Sequence, residues 1–216
     1  MTFSLGSTPR SLVKYNNQSI SAITDIVASA KDDMVLIKEL TASSSATLDF
    51  VDGSSDVVLD NTYPIYKFVF INIHPQTDNT DFSFNFSVDS GSNYNVSKTT
   101  TNFISYHNES ATEAAIAYET GLDLANGTGE QIIYHNTGND NDQSASGSLM
   151  LFNPSSTTFV KHFIATANHI QYTDVSGNHF VAGYGNTTSA VDAIQFKFDS
   201  GNIDAGTIKL YGIKDS

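Results

Sequence analysis

Glu109 and Glu113 stand four residues apart, a spacing that sets two carboxylates on one face of a helical turn. Glycoside hydrolysis uses such a pair, separated by roughly 5–9 Å, with one group as acid and the other as base or nucleophile. In a chain with 23 acidic side chains that spacing also arises from composition alone. The pair therefore keeps a glycan-cleaving alternative in view, and no catalytic residue is assigned. The six histidines, His74, His107, His135, His162, His169 and His179, include no two at i, i+2 or i, i+4. A metal site built from them needs assembly across strands, and no metal ligand or cofactor is assigned. Asn139-Asp-Asn-Asp142 concentrates the oxygen ligands that calcium favours, without the spacing or closing glutamate of an EF-hand. Asp89-Ser-Gly-Ser-Asn93 has the same character to a lesser degree, and a solvated turn is the alternative for both. Tyr94, Tyr106, Tyr118, Tyr172 and Tyr184 lie near polar loops, where a ring either stacks on a sugar or rims the core with a wet hydroxyl. Receptor-contacting residues stay unassigned.

Other chemistries are absent from the residues themselves. There is no cysteine, which removes disulfides, thiolate metal sites and cysteine nucleophiles. Gly127-Thr-Gly129 and Gly183-Tyr-Gly185 lack the rest of a phosphate-binding loop, and neither a Gly-x-Ser-x-Gly elbow nor a His-Glu-x-x-His helix occurs. The net charge is −13, and Arg10 is the only arginine. Nucleic-acid binding is not expected, because phosphate neutralisation needs clustered lysine and arginine. Membrane insertion is not expected either: no run of about 18 apolar residues occurs, and no secretory leader is read.

The elements that must position these residues read as strands. Ile194, Phe196 and Phe198 alternate with Gln195 and Lys197, and Ile208 and Leu210 resume the alternation beyond Asp199-Ser-Gly-Asn202, the period of two of half-buried strands. Met34 to Leu40, Ala46 to Val51 and Asp81 to Val88 read likewise, with Phe82, Phe84, Phe86 and Val88 facing in. Tyr63 to Ile73 is apolar on both faces, which predicts a central strand covered on both sides. Leu149 to Phe152, Phe159 to Ala165, Ile170 to Thr173 and His179 to Tyr184 are further short strands; a helical turn is predicted around Glu109 to Tyr118, and a polar loop at 136–144. Phe86-Ser-Val-Asp-Ser-Gly and Phe196-Lys-Phe-Asp-Ser-Gly echo each other as aromatic strands delivered to the same hairpin chemistry. The pattern predicts an all-β protein, a jelly-roll-like antiparallel β-sandwich over residues 31–216. Residues 1–30 lack strand alternation; Ser19 and the helical spacing of Ile20, Ile23, Ile26, Val27 and Ala30 predict either a short helix capping the core or an arm docking on another subunit.

The ending Ser200-Gly-Asn-Ile-Asp-Ala-Gly-Thr-Ile-Lys-Leu-Tyr-Gly-Ile213 resembles that of tail and fibre-type virion proteins of marine tailed phages. Segments 36–50, Phe68-Val-Phe-Ile-Asn-Ile-His-Pro75, 91–100 and Leu151-Phe-Asn-Pro-Ser-Ser-Thr-Thr-Phe-Val-Lys-His162 are similar to the same proteins. The resemblance implies a non-enzymatic structural component of a virion, tail-fibre or tail-associated, with a capsid decoration protein as the alternative. It further implies a homotrimer among other virion proteins and a host surface glycan as the external partner. A glycan-binding module or a polysaccharide-degrading enzyme remains the reading from another class.

Overall fold

A computed structural model describes residues 33–215; the predicted N-terminal helix or arm lies outside the described residues. Thirteen strands follow in order: β1 (Met34–Thr41), β2 (Leu48–Val51), β3 (Ile65–Pro75), β4 (Thr80–Ser87), β5 (Lys98–Asn108), β6 (Ala114–Tyr118), β7 (Ala125–Gly127), β8 (Gln131–Thr137), β9 (Ala145–Phe152), β10 (Lys161–Ile170), β11 (Val175–Gly185), β12 (Ala193–Phe198) and β13 (Ile203–Ile213). They form a nine-stranded sheet in the order β1-β13-β3-β9-β10-β11-β5-β6, with β7 also on β5, and a four-stranded sheet in the order β2-β12-β4-β8. All pairings are antiparallel. The two sheets pack face to face as a β-sandwich.

The orders β1-β13-β3-β9 and β2-β12-β4-β8 are those of an eight-strand jelly roll, in which successive strands alternate between sheets. Two insertions depart from it. Strands β5 to β7 enter between β4 and β8, strands β10 and β11 between β9 and β12, and β5 pairs with β11. The insertions thus build one continuous extension of a single sheet.

The core follows from the alternation. Phe82, Phe84, Phe86, Ile194, Phe196 and Phe198 project from one sheet, and Tyr66, Phe68, Phe70, Leu149, Leu151, Ile208 and Leu210 from the other, all essentially without exposure. Phe196 is the hub: its ring centroid lies 5.3 Å from Phe70, 5.4 Å from Phe68, 6.0 Å from Phe82 and 6.2 Å from Phe50.

Five expectations need correction. Strand β3 is central, but only Tyr66, Phe68 and Phe70 are covered; Ile65 and Val69 are half-buried and Ile71 is exposed. Ile73 turns inward because a bulge intervenes: Asn72 has φ 50°, and the β3–β13 register shifts opposite Gly206. Gly206 has φ 115°, and a Cβ there would sit 2.5 Å from Asn72 O, so the bulge requires glycine. Val88 lies past the end of β4 and is exposed. Ile170 to Thr173 is no separate strand: Gln171 N donates to Val175 O at 2.9 Å, making a tight turn between β10 and β11. The turn at Asp199-Ser-Gly-Asn202 closes no hairpin either, since it carries the chain from β12 in one sheet to β13 in the other. The echoing strands β4 and β12 are instead direct neighbours, Phe84 opposite Phe196.

The fifth correction concerns Glu109 to Tyr118, which is a hairpin and not a helical turn. Asn108 Oδ1 accepts from Thr112 N at 2.9 Å and Glu113 N at 3.0 Å, and Ala111 takes φ 55°. That Asx-type closure offers the backbone an alternative to the helix, and Ala114–Tyr118 then pairs with Phe103–His107.

Candidate functional site

Two regions outside the aromatic core carry chemistry, and both lie where the insertions meet the frame strands β8 and β9. The first is the outer face of the sheet extension. Across β6, β5, β11, β10 and β9 the register aligns Tyr118, Phe103, Phe180, Thr166 and Ser148 in one outward row. The next row holds Thr101, Ala182, Ile164 and Met150. The Phe103 and Phe180 rings stack at 4.9 Å and 13°; Ile164 is 47% exposed, and Ile116, opposite Ser105, is 78% exposed. None of the outward residues of these five strands is Asp, Glu, Lys or Arg. The first charges on this face are Lys67, Lys209 and Glu39, on β3, β13 and β1. On a chain of net charge −13, this wide face of Thr, Ser, Asn and exposed apolar side chains is set apart by its lack of charge and by its exposed Phe103, Phe180, Ile116 and Ile164.

The second region is the interior beneath that extension, which is polar where the rest of the sandwich is aromatic. Lys98, Thr100 and Asn102 of β5, Gln131 and Thr137 of β8, His169 of β10 and His179 of β11 are all buried. Three histidines meet here: the His135 ring lies 5.0 Å from His179 and 6.4 Å from His169, which is 5.3 Å from His179. His169 faces two carbonyls, His135 O at 2.8 Å from Nε2 and Gly177 O at 3.1 Å from Nδ1. A neutral imidazole donates to only one of them. Burial nonetheless lowers the pKa of His169 to about 4 and that of His179 to about 2. His179 Nδ1 meets Asn102 Oδ1 at 2.9 Å, while its Nε2 and His135 Nδ1 are buried with no hydrogen-bond partner.

The polar interior opens into a cleft of about 250 Å³ bounded by Ile104, Tyr106, Glu113, Glu119, His135 and Gln171. Of the predicted carboxylate pair, Glu113 lines this cleft and Glu109 does not; the second acid is Glu119, brought across by the β5–β6 pairing. Three of the six histidines converge although no local spacing announced it, because they sit on β8, β10 and β11. His74, His107 and His162 lie elsewhere: His74 Nε2 meets Asp140 O at 3.2 Å, and His162 is stacked edge-on to Tyr184 at 6.0 Å. Among the described residues no group of three His, Asp or Glu side chains is arranged to hold a metal ion.

The acidic loops resolve into turns. Asn139 N donates to Asp78 Oδ1, Asp140 O accepts from Gln143 N at 2.9 Å, and Asp140 N donates to Gln143 Oε1 at 3.2 Å. Asp89 accepts from Ser87 Oγ and from both the backbone and side chain of Asn93; the Asn93 amide and these other donors hold its carboxyl below the ordinary range. The five tyrosines form no single patch. Tyr118 and Tyr184 lie on the outer face, Tyr106 lines the cleft, Tyr172 stands exposed beyond the β10 turn, and the half-buried Tyr94, its pKa raised by burial and by Asp49 beside it, packs over Gly91.

Fold and site together define an antiparallel jelly-roll β-sandwich with an extended sheet, an uncharged outer face and a polar interior. Compared with protein-family models, with curated proteins and with solved structures, the chain matches none.

Proposed function

We propose that the protein is a non-enzymatic structural component of a tailed-phage virion, tail-fibre or tail-associated, that assembles with further copies of itself through the outer face of the sheet extension. The uncharged face supports the assembly part of this reading, and the resemblance of segments between residues 36 and 213 to tail and fibre-type proteins supports the virion part. Copies bearing −13 each repel, and among the described residues β6, β5, β11, β10 and β9 offer a broad surface on which they meet without opposing like charges. Five strands about 4.8 Å apart and about 30 Å long present about 700 Å², close to the roughly 800 Å² per partner of a standard interface. Phe103, Phe180, Ile116 and Ile164 supply the apolar anchors that such an interface needs at its centre. The state expected is a homotrimer within the virion.

Light scattering on the full chain, beside a variant carrying Phe180→Lys and Ile116→Lys, tests the proposal. An oligomer that the two lysines reduce to a monomer supports it. A wild-type monomer at every concentration, or an oligomer indifferent to the lysines, refutes it.

A host-glycan contact within that assembly is favoured by the cleft, where the Tyr106 ring, two carboxylates and the Gln171 amide surround a volume of single-sugar size. Tyr106→Ala that leaves binding to host envelope glycans unchanged removes this second reading.

A further inference from the structure

Beneath the sheet extension two lysines, Lys98 and Lys161, are buried with no carboxylate within ion-pair distance among the described residues, and Lys98 alone of the two meets a side-chain carboxamide. Lys98 is fully buried at the start of β5, and its Nζ contacts only neutral oxygens, Asn85 Oδ1 and Val96 O, the latter at 2.9 Å. Asn85, on β4 of the opposite sheet, is itself 1% exposed. An ammonium buried against neutral acceptors is a costly arrangement. The Asn85 carboxamide is held in one orientation: Nδ2 donates to Tyr94 O at 2.7 Å and Thr128 O at 3.0 Å, and Oδ1 also accepts from Phe86 N at 2.9 Å. The third member is Glu130, immediately before β8. Its Oε2 is buried with no hydrogen-bond partner, and Lys197, then Lys98, then the Asn85 side chain act on its carboxyl against the upward push of burial.

We propose that Lys98 and Asn85 become joined by an intramolecular isopeptide bond between Nζ and Cγ, with Glu130 as the proton carrier. The Lys98–Asn85 contact, the unpartnered Glu130 carboxyl and the Phe86 amide supply the reacting pair, the proton carrier and the oxyanion donor. Glu130 takes a proton from the Lys98 ammonium and leaves a free amine, an exchange that burial favours because it replaces two charges by none. Burial accordingly lowers the Lys98 pKa to about 8 and raises that of Glu130. The Nζ lone pair then forms a bond to Cγ, and the carbonyl π electrons move onto Oδ1, where the Phe86 N–H meets the developing negative charge. Glu130 passes the proton to Nδ2 and accepts the excess one from Nζ, which keeps a single hydrogen as the new amide. The Cγ–Nδ2 bond breaks with its electron pair on nitrogen, the carbonyl re-forms, and the departing ammonia takes the proton left on Glu130 and leaves as ammonium. Carboxamide plus alkylammonium gives secondary amide plus ammonium, with no oxidant, reductant or co-reactant, and Glu130 returns to the carboxylate. The product removes the buried cation and ties β4 of the small sheet covalently to β5 of the large one. This inference is independent of the virion reading, because it rests on the interior alone.

The full-length protein is tested as purified, by intact mass under denaturing conditions followed by proteolysis and fragment sequencing. The expected result is a chain lighter than its sequence by one ammonia, with the peptides containing Asn85 and Lys98 recovered as a single branched species. Lys98→Met and Glu130→Gln are expected to return the unlinked mass. A wild-type mass equal to that of the sequence overturns the proposal whatever the variants do. So does an ammonia loss that maps elsewhere, such as a succinimide at Asn126-Gly127, with the Asn85 and Lys98 peptides separate. A Glu130→Gln chain that is still branched overturns the role given to Glu130.

Discussion

Acidification should destabilise this protein well above the pH at which its carboxylates titrate. His169 and His179 are buried and held neutral, with pKa lowered to about 4 and about 2 by desolvation first and by neighbouring histidines second. In the unfolded chain each returns to about 6.5. As pH falls below that value the unfolded state binds protons that the folded state refuses, so stability is complete above about 6.5 and is lost on the way down to about 4. At pH 5 each histidine forfeits about 2 kcal/mol, about 4 kcal/mol together, set against a total of about 5–15 kcal/mol for a typical domain. Asp81 and Glu130 act in the opposite sense: burial raises both, so the folded state takes their protons first and gains stability nearer the carboxylate range. The histidines therefore govern the window from pH 6.5 to 5. In urea titrations the midpoint at pH 5 should lie about 1–2 M below that at pH 7.5, for a slope of about 2–3 kcal/mol/M. His169→Gln, whatever it does at neutral pH, should lose about half of that pH dependence. A midpoint unchanged between pH 7.5 and 5, or a His169→Gln chain as acid-sensitive as the wild type, would refute the reasoning.

Removal of the aromatic hub by Phe196→Ala should cost about 3–5 kcal/mol in chemical denaturation, since the ring touches both sheets; a loss under about 1 kcal/mol would show that its neighbours close the gap. Gly147→Ala should cost about 1–3 kcal/mol, because the new Cβ would lie 2.3 Å from Thr166 O and 2.6 Å from Ala167 Cα on the adjacent strand; an unchanged denaturation midpoint would contradict that close approach. Glu113→Gln should leave stability and oligomeric mass unaltered, as its side chain lines the cleft and not the uncharged face; a changed mass by light scattering would place the assembly contact elsewhere.

The sandwich was legible wherever apolar side chains alternate. Phe82, Phe84 and Phe86, and Ile194, Phe196 and Phe198, face the core as their spacing predicts. The misreadings have physical causes. On β3 the alternate residues Ile65, Val69 and Ile71 are apolar yet outward, so continuous hydrophobicity marked a lightly charged outer surface and not a second covering layer. Strand β5, with Lys98, Thr100 and Asn102 inside, shows no hydrophobic alternation at all, because its interior partners are polar. The same is true of Gln131 and Thr137 on β8. Ala114-Ala-Ile-Ala-Tyr118 has helix-forming composition, and tertiary pairing with β5 overrides it. The histidine cluster and the Lys98–Asn85–Glu130 group were beyond reach, since each joins residues from separate strands with no local motif between them.

The position of β13 also bears on how the chain acquires its structure. It is the last strand in sequence, yet it lies between β1 and β3 and contacts both along most of its length. Contacts of such wide sequence separation make folding slow. Among the described residues β1 has no neighbour in its own sheet until Ile203–Ile213 has left the ribosome, so before then β1 and β3 lack the strand that joins them. Nascent chains must wait for β13 with strand edges uncovered, and that interval is when mispairing between chains threatens most. Emergence of β13 thus acts as the checkpoint after which the large sheet can close.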